Sequence, residues 1–468
     1  MIANQEQLIA AIAKEVLARL EERLSGSTPG DSGVFHTVDQ AVQAAAAAQE
    51  RVGTMSLEER GRMVAIIRRL CHENAEEWAR LELAETRIGR ADHKADKLRN
   101  IRLVQGEEAM ESEARSDASG LCVIEHAPWG VIGMVLPATH SAPTMASNAI
   151  NILAAGNTAV FSPHPTGVQI AARALREFNR EIQRELGVGN VLTMAAEATI
   201  QNAEEMFRHP KVALICATGG PAVVDAAMKS GKRVIAAGPG NPPVVVDETA
   251  DLDAAAQAII AGASFDNNLL CIGEKEVFVV ASVADSFLAA MRRAGAVQLD
   301  SQAIDRLTSA AFHFENGHAH VKREYIGKDV AFLAQAAGAS APPGADLLFG
   351  ETREDHPFVQ EEQMMPFLPV VRVADVDMAI AASVKAEHGY RHTAMIHSRN
   401  IQNATKMARA MNCTLFVQNA PCFASLGVGG PSYSSHSIAT PTGEGVTTPM
   451  TFTRQRRIVI GGGGLRIV

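Results

Sequence analysis

The sequence predicts an α/β protein made of two α/β domains, and three observations lead to this prediction. At 468 residues, the chain exceeds the size that one ordinary hydrophobic core serves. A hydrophobic content of 47% and a charged content of 20% are typical of a soluble globular protein. Short apolar segments alternate with amphipathic helical segments along most of the chain, which indicates parallel sheets covered by helices.

Residues 1–24 are predicted to form an amphipathic helix, attached by a flexible linker at residues 25–33. Charged residues interrupt its apolar positions, which argues against a secretory signal. Two interpretations stay open: the helix docks on its own protein, or it is offered to the groove of a partner. The apolar side chains that recur at helical spacing are Ile2, Ile9, Ile12, Val16, Leu20 and Leu24.

The region from about 35 to 110 is predicted to be mainly helical, with Ser56 and Glu59 forming a capping box at one helix start. The segment "GLCVIEHAPWGVIGMVLP" indicates a strand, a turn and a second strand. Helices and strands then alternate, and the two domains are expected to join near Gly238. The later predicted strands are "TAVFSP", "NVLTMA", "VALICATGG", "NPPVVVDE", "KEVFVVA", "MPFLPVVRV", "TAMIHS" and "TLFVQNA", and predicted helices span 166–186, 251–263, 283–294 and 375–387.

Composition excludes several classes of function. A net charge of −9 without a Lys/Arg block argues against a nucleic-acid surface, and no apolar run reaches the ~18 residues that span a bilayer. The six cysteines contain no C-x-x-C pair, which favours a reducing compartment over a zinc site or a disulfide framework. The histidines of "HFENGHAH" are interpreted as part of a polar loop rather than a metal site: His313, His318 and His320.

Five separated segments could carry chemistry, although each is weak evidence alone. Thr218, Gly219 and Gly220 end an apolar strand before a helix, where backbone N–H groups can meet a phosphate. The Gly/Pro loop in "AAGPGNPPVVVDE" suits a backbone that passes close to a ligand. The remaining three segments offer reactive side chains, namely His140 before a helix, Glu361 and Glu362 before an apolar segment, and the Cys271 thiol in "DNNLLCIGE".

Taken together, these segments resemble a known family. "AAGPGNPPVVVDE", "SFDNNLLC", "EEQMMPFLPVVRV" and "SLGVGG", in this order and spacing, resemble the aldehyde dehydrogenase superfamily over residues 34–468. More narrowly, "EHAPWGVIG", "ILAAGNTAVFSPHP", "AAGPGNPPVVVDETADL", "GASFDNN" and "TPTGEGVT" resemble the coenzyme A-acylating aldehyde dehydrogenases of bacterial microcompartments. Those relatives are the propionaldehyde and acetaldehyde dehydrogenases of propanediol and ethanolamine use.

The resemblance implies an aldehyde dehydrogenase-like fold of two Rossmann-like α/β domains plus a small β oligomerisation arm. It places an NAD-binding domain at 34–113 and 129–237, a catalytic domain at 238–430 and the arm at 114–128 and 450–468. It also implies a homodimer or homotetramer. Residues 1–24 then become an encapsulation peptide that packs on shell proteins, inside a microcompartment of the bacterial cytoplasm.

By the same resemblance, Cys271 is the nucleophile that forms a thiohemiacetal and then a thioester with a small aldehyde. The family's oxyanion hole combines the cysteine's backbone N–H with an Asn side chain. His140 occupies that Asn position, because the family's "T-N-P" is "T-H-S" in this chain. Whether His140 donates to the oxyanion or accepts the thiol proton stays open.

A second departure concerns the acceptor of the acyl group. Hydrolytic relatives carry a Glu that activates water where this chain has Ala236. Without that base a thiol is the better nucleophile, so coenzyme A is expected as the acceptor. Two alternatives remain: a hydrolytic enzyme that gives a free acid, and a non-catalytic scaffold that associates with a shell.

The resemblance also assigns positions around the dinucleotide. The segment "SPHP" is expected at the adenosine ribose, and no Arg in it could hold a 2′-phosphate, so NAD is favoured over NADP. Coenzyme A is expected in the same cleft after NADH leaves, with its pocket unassigned. The expected cofactor-binding residues are Ser162, Pro163, His164, Pro165, Thr218, Gly219, Gly220, Gly238, Pro239 and Glu362.

Overall fold

A computed structural model describes residues 32–315 and 318–463 as two large parallel sheets with a separate three-stranded antiparallel sheet. The predicted helix at 1–24 and nearly all of the linker that follows it lie outside the described residues. Within the described ranges, no helix combines the length and the hydropathy needed to cross a bilayer.

The first sheet has six parallel strands, and its order changes direction between Val131–Val135 and Val212–Thr218. The loops after these two strands hold His140 and Gly219, respectively. Ligands of open α/β sheets bind at such a switch point, at the carboxyl ends of the strands. From edge to edge the strands are Val34–Phe35, Leu192–Ala195, Thr158–Ser162, Val131–Val135, Val212–Thr218 and Arg233–Ala237.

Helices cover both faces of this sheet, and Ser141–Ala154 is buried along its whole length. The predicted capping box is confirmed: the Ser56 hydroxyl accepts from the Glu59 N–H at 3.2 Å, and the Glu59 carboxylate accepts from the Ser56 N–H at 2.8 Å. The helices are Val38–Val52, Leu57–Glu73, Ala75–Thr86, Ala91–Arg99, Ser141–Ala154, Val168–Leu186, Ile200–Arg208 and Pro221–Met228.

The second sheet has seven parallel strands, and every residue of Glu276–Val280, Pro243–Val246 and Thr393–His397 near its middle is buried. From edge to edge they are Val297–Gln298, Leu348–Glu351, Phe367–Val373, Glu276–Val280, Pro243–Val246, Thr393–His397 and Leu415–Gln418. The helices of this unit are Leu252–Ser264, Ala281–Arg293, Ser301–Ala311, Val330–Ala336, Pro357–Gln360, Val376–Ala386 and Ile401–Met411.

The interpretation of "HFENGHAH" as a loop is wrong. Phe312–Glu315 and His318–Val321 pair as an antiparallel hairpin in which His313 lies opposite His320. Residues in each short strand alternate between the two faces of the hairpin. This two-residue alternation, which is typical of a strand, was overlooked because the segment is rich in polar residues. Across residues 32–315 and 318–463, no group of three His, Cys, Asp or Glu residues is arranged to hold a metal ion.

The antiparallel sheet joins two distant parts of the chain, Glu113–Asp117 with Gly120–Pro128 and Thr453–Gly461. Its last strand is an edge strand with exposed apolar side chains: Ile458 is 43% exposed, Val459 70% and Ile460 51%. Exposed edge strands of this kind pair readily with another chain. The sheet is consistent with the expected arm.

We predict that G262A destabilises the protein. A Cβ on Gly262 would lie 1.9 Å from the Glu274 carboxylate, and that carboxylate is held by the Cys422 N–H at 2.9 Å. Overpacking of this kind costs about 1–3 kcal/mol. The thermal unfolding midpoint should fall by several degrees, whereas Q257A, an exposed change on the same helix, should leave it in place. A midpoint for G262A at or above the wild-type value would contradict this account.

Candidate active site

A pocket lies where the two α/β units meet. The first unit contributes Lys97 and His140, and the second contributes Phe265, Cys271 and Phe423. The two residues predicted to be catalytic, Cys271 and His140, therefore line one pocket, although 130 positions separate them in the sequence.

The thiol follows an unusual backbone turn. Asp266, Asn267 and Asn268 have φ values of 50°, 55° and 61°, so three consecutive non-glycine residues adopt the left-handed conformation. That conformation costs most non-glycine residues roughly 1–2 kcal/mol each, and Asp and Asn adopt it more readily than the others. The turn follows the helix Leu252–Ser264 and leads to Cys271 in the pocket. Because its backbone is left-handed at three residues, hydrogen bonds and ion pairs from neighbouring residues are needed to hold it.

Asp266 is anchored by a buried group of charges from the first unit. Its carboxylate pairs with Lys97 and lies 3.5 Å from Lys94, and it accepts the Arg90 N–H at 2.7 Å. Lys94 in turn lies 3.3 Å from Glu82. Burial pushes the pKa of Asp266 upward, but the two lysine charges overcome this effect and leave the pKa below its ordinary value.

Asn268 is anchored by Lys275, which the sequence reasoning missed. The fully buried Lys275 Nζ donates to the Asn268 backbone oxygen at 2.7 Å and to its side-chain oxygen at 2.5 Å. The Asn268 amide donates to the Glu274 backbone oxygen at 2.9 Å. The sequence did contain a signal for this lysine. Lys275 directly precedes the apolar strand "EVFVV", so its charge is expected to be buried and to need a hydrogen-bonding partner.

The thiol itself sits in an unfavourable environment for ionisation. Burial raises the pKa of Cys271 to about 12, the negative charge of Glu362 adds to this, and Lys275 opposes it. Burial also raises the pKa of Glu362 to about 7, although the Lys275 charge and the Gly240 N–H both act to lower it. In the ligand-free protein the thiol is therefore protonated at neutral pH.

The Gly/Pro loop that contains Gly240 passes close to Cys271. A Cβ on Gly240 would lie 2.7 Å from the Cys271 backbone oxygen and 2.9 Å from the His392 ring, so only glycine fits there. Gly238 and Pro239 directly follow the strand Arg233–Ala237. The loop thus carries the chain from the first sheet past the thiol.

His140 occupies the N-cap position of the buried helix Ser141–Ala154 without a side-chain capping hydrogen bond, and it is 6% exposed. Its ring Nε2 lies 3.3 Å from the Thr139 hydroxyl. Burial, together with the charge of Lys97, lowers the pKa of its imidazole well below the ordinary value, so the ring is neutral. A second histidine, His436, also lines the pocket, with its ring 6.0 Å from that of His140. Sequence reasoning missed His436, because a single His in the Ser-rich segment "SSHS" gives no signal of its own.

The predicted dinucleotide segments lie along one edge of the first sheet. Ser162 ends a strand and leads into "PHP", and Thr218 ends another strand before Gly219. Gly220 begins the helix Pro221–Met228, and the Thr218 hydroxyl lies 2.6 Å from the Ser437 hydroxyl. These segments are brought to the switch point of the sheet, outside the lining of the Cys271 pocket.

Comparisons with known proteins bear on this arrangement. The model of the aldehyde dehydrogenase family matches residues 31–439. This chain belongs to the aldehyde dehydrogenase family. It is 44% identical over 460 residues to the acetaldehyde dehydrogenase (acetylating) EutE of Salmonella typhimurium, which covers 97% of this chain and 98% of the relative.

Two solved structures are similar to this aldehyde dehydrogenase over most of its length. One is a Rhodopseudomonas palustris propionaldehyde dehydrogenase with bound CoA and an acylated cysteine, at a TM-score of 0.89 and 40% identity, covering 92% of this chain and 98% of that one. The other is a propionaldehyde dehydrogenase from the fucose utilisation bacterial microcompartment of Clostridium phytofermentans. Its TM-score is 0.90 at 38% identity, covering 93% of this chain and 100% of that one.

Ala236 of this aldehyde dehydrogenase is fully buried in the core of the first sheet with Ala217 and Val234. Its N–H donates to the Thr442 hydroxyl at 2.9 Å. No titratable side chain stands at this position. Water that attacks a thioester on Cys271 therefore finds no general base at position 236.

We predict that alkylation of Cys271 by iodoacetamide rises about tenfold per pH unit from pH 7 to 10 in the ligand-free enzyme. Because its pKa of about 12 lies above this range, the reactive thiolate fraction keeps growing with pH. The rate is measured by mass spectrometry of the Cys271 peptide, with C271A reporting the background from the partly exposed Cys122 and Cys413. A plateau near pH 8 or 9 would contradict the burial effect.

Proposed function

We propose that this chain is an NAD-dependent, coenzyme A-acylating aldehyde dehydrogenase that converts propionaldehyde or acetaldehyde into its acyl-CoA. The observation that carries the proposal is the pairing of a pocket thiol, Cys271, with a position 236 that offers no base. The acetylating activity in the name of the Salmonella relative and the CoA and acylated cysteine in the Rhodopseudomonas structure support the same chemistry.

The residues present fit a dinucleotide. The Gly219 N–H donates to the Ala237 oxygen at 3.2 Å, whereas Gly220, at the start of the helix Pro221–Met228, offers its backbone N–H at the switch point of the first sheet. Glu362 places a carboxylate beside the thiol that can accept ribose hydroxyls. The segment from Ser162 to Pro165 would hold the adenosine ribose, and Gly238 and Pro239 would lie by the nicotinamide. When bound, the dinucleotide supplies the acceptor for the two electrons that leave the aldehyde carbon.

The chain's own groups then account for the first half of the reaction. The Cys271 thiol releases its proton to solvent and attacks the carbonyl carbon as a thiolate, which forms a C–S bond and moves charge onto the carbonyl oxygen. The Cys271 N–H and the neutral imidazole of His140 donate to that oxygen. Loss of hydride from the same carbon restores the carbonyl as a thioester on Cys271.

Acyl transfer completes the cycle. The thiolate of coenzyme A attacks the thioester carbon, and the Cys271 thiolate leaves as the acyl-CoA forms. Water competes poorly, since Ala236 provides no base to deprotonate it. This difference separates the proposal from a hydrolytic aldehyde dehydrogenase.

We predict a dependence on coenzyme A that single-turnover kinetics can resolve. With propionaldehyde and NAD alone, the enzyme should form about one NADH per Cys271 and then stop, because the thioester accumulates. Addition of coenzyme A should restore steady turnover and release propionyl-CoA, both measured by absorbance and mass spectrometry. C271A should form no NADH under either condition.

The alternatives predict different results in the same experiment. Steady NADH formation without coenzyme A, with propionate as product, would establish a hydrolytic enzyme. Absence of NADH formation from any aldehyde in a folded protein would favour a non-catalytic scaffold. Either result would contradict the proposal.

We propose that the antiparallel sheet is an oligomerisation arm, within the domain division at 34–113, 129–237 and 238–430 given above. Its exposed edge, Thr453–Gly461, and the edge strand Leu415–Gln418 of the second sheet both offer free backbone groups. A homodimer or homotetramer that pairs these edges would cover the apolar side chains from Ile458 to Ile460.

The predicted test is V459E, which places a charge on the most exposed apolar residue of that strand. Light scattering after gel filtration should show a shift toward monomer relative to the wild type, because the charge would be buried in the interface. Q257E adds the same charge at an exposed position outside the sheet, on the helix Leu252–Ser264, and should keep the oligomer. An unchanged assembly in V459E would argue against the arm.

We also propose that residues 1–24 form an encapsulation peptide and that the enzyme works inside a microcompartment of the bacterial cytoplasm. The apolar spacing of this segment and the microcompartment origin of the Clostridium relative support the proposal. Deletion of residues 1–24 should abolish co-purification with shell proteins while specific activity stays within about twofold of the full chain. Lost activity would instead favour a helix that docks on its own protein.

A further inference from the structure

A buried lysine, Lys94, connects the two loops that carry His140 and Cys271. Its side chain has no accessible surface worth the name of a contact with solvent, since the residue is fully buried. Its Nζ donates to the Thr139 backbone oxygen at 3.3 Å, directly before His140. The same atom lies 3.5 Å from the Asp266 carboxylate, where the turn that leads to Cys271 begins. One ammonium group therefore contacts both loops.

A carboxylate beside Lys94 holds the other side of the His140 loop. Glu82 Oε1 lies 3.3 Å from Lys94 Nζ, and Glu82 Oε2 accepts the Ala142 N–H at 3.2 Å. Ala142 belongs to the first turn of the helix in which His140 occupies the N-cap position. The backbone is thus held on both sides of His140.

Thr139 connects this restraint to the imidazole ring. Its backbone oxygen accepts from Lys94, and its hydroxyl lies 3.3 Å from His140 Nε2. Both contacts belong to one residue, so a displacement of the Thr139 backbone would also move the hydroxyl that lies against the ring. The orientation of the imidazole therefore depends on the contact between Lys94 and Thr139.

Lys94 keeps its charge although it is buried. Burial acts to lower its pKa, but the charges of Glu82 and Asp266 outweigh burial and raise the pKa above its ordinary value. At neutral pH the ammonium group can therefore donate to a carbonyl oxygen and pair with two carboxylates. A buried polar network whose members are all partnered in this way makes the surrounding structure rigid.

We propose that Lys94 is a positioning residue that fixes His140 relative to Cys271. The oxyanion that forms when Cys271 attacks an aldehyde can accept from His140 only if the two side chains keep their spacing, and small displacements of such donors lower rates strongly. The pocket lining includes His140 and Cys271 but not Lys94, so the effect of Lys94 passes through His140. This inference rests on the proposed function and adds a residue to its oxyanion step.

The test measures the rate constant of single-turnover NADH formation at saturating propionaldehyde, with NAD and without coenzyme A. The variant E82Q/K94M removes the donor to Thr139 and leaves no buried carboxylate unpaired, because Asp266 keeps Lys97. Its rate constant should fall at least tenfold below the wild-type value. K94R keeps the positive charge but replaces the compact ammonium group by a planar guanidinium, and it should lose at least threefold.

The H140A background separates positioning from a general structural role. In that background E82Q/K94M should change the rate constant by no more than about twofold, because the group that Lys94 positions is gone. Iodoacetamide should alkylate Cys271 in E82Q/K94M within about twofold of the wild-type rate, since Lys97 still holds the turn.

N179L is the matched control for lost stability. Asn179 is a buried residue of the same unit, and its amide donates to the Leu192 backbone oxygen at 2.7 Å, outside the pocket lining. N179L should lower the thermal unfolding midpoint, because it removes a buried hydrogen bond, and leave the single-turnover rate constant within about twofold.

Three results would each overturn the inference. The first is a rate constant within twofold of the wild type for both E82Q/K94M and K94R, the second is an equal loss in the H140A background, and the third is a tenfold drop in Cys271 alkylation. The proposed function is judged separately, by the wild type alone. It stands if propionaldehyde gives coenzyme A-dependent turnover, and it fails if no aldehyde gives NADH.

Discussion

The buried pairing of Asp266 with Lys97 and Lys94 holds the site together. The lysines belong to the helix Ala91–Arg99 of the first unit, whereas Asp266 begins the turn that leads to Cys271 in the second. Removing one partner of a buried ion pair typically costs about 3–5 kcal/mol. The two units therefore cannot shift at the cleft without leaving a buried charge unpaired, and the thiol keeps its position relative to the first sheet.

The turn after Asp266 explains why so many polar groups surround the thiol. Three consecutive left-handed residues are unfavourable, and each has a specific anchor: Lys97 for Asp266, the Gly327 oxygen at 2.9 Å for Asn267, and Lys275 for Asn268. Strain of this kind persists only where surrounding contacts hold it. The anchored turn therefore fixes the position of the Cys271 nucleophile. Burial of the same site keeps the free thiol protonated.

Sequence periodicity predicted most of the fold. Predicted helices at 166–186, 251–263, 283–294 and 375–387 lie within two residues of the observed ones, because apolar spacing and caps are local properties. The hairpin that contains His313 and His320 was missed, since each of its strands is only four residues long and carries polar residues at every second position. The resemblance to aldehyde dehydrogenases pointed to Cys271 and His140, and the pocket brings these two together.

The sequence by itself determined two parallel sheets, a cysteine just before a buried strand and an alanine where a catalytic base would stand. Only the tertiary structure decided which groups surround that cysteine. Lys97 and His436 come from opposite ends of the chain, and Lys275 acts through a hydrogen bond to a strained turn. Such neighbours depend on how the two units pack, and local patterns of hydrophobicity carry no record of that packing.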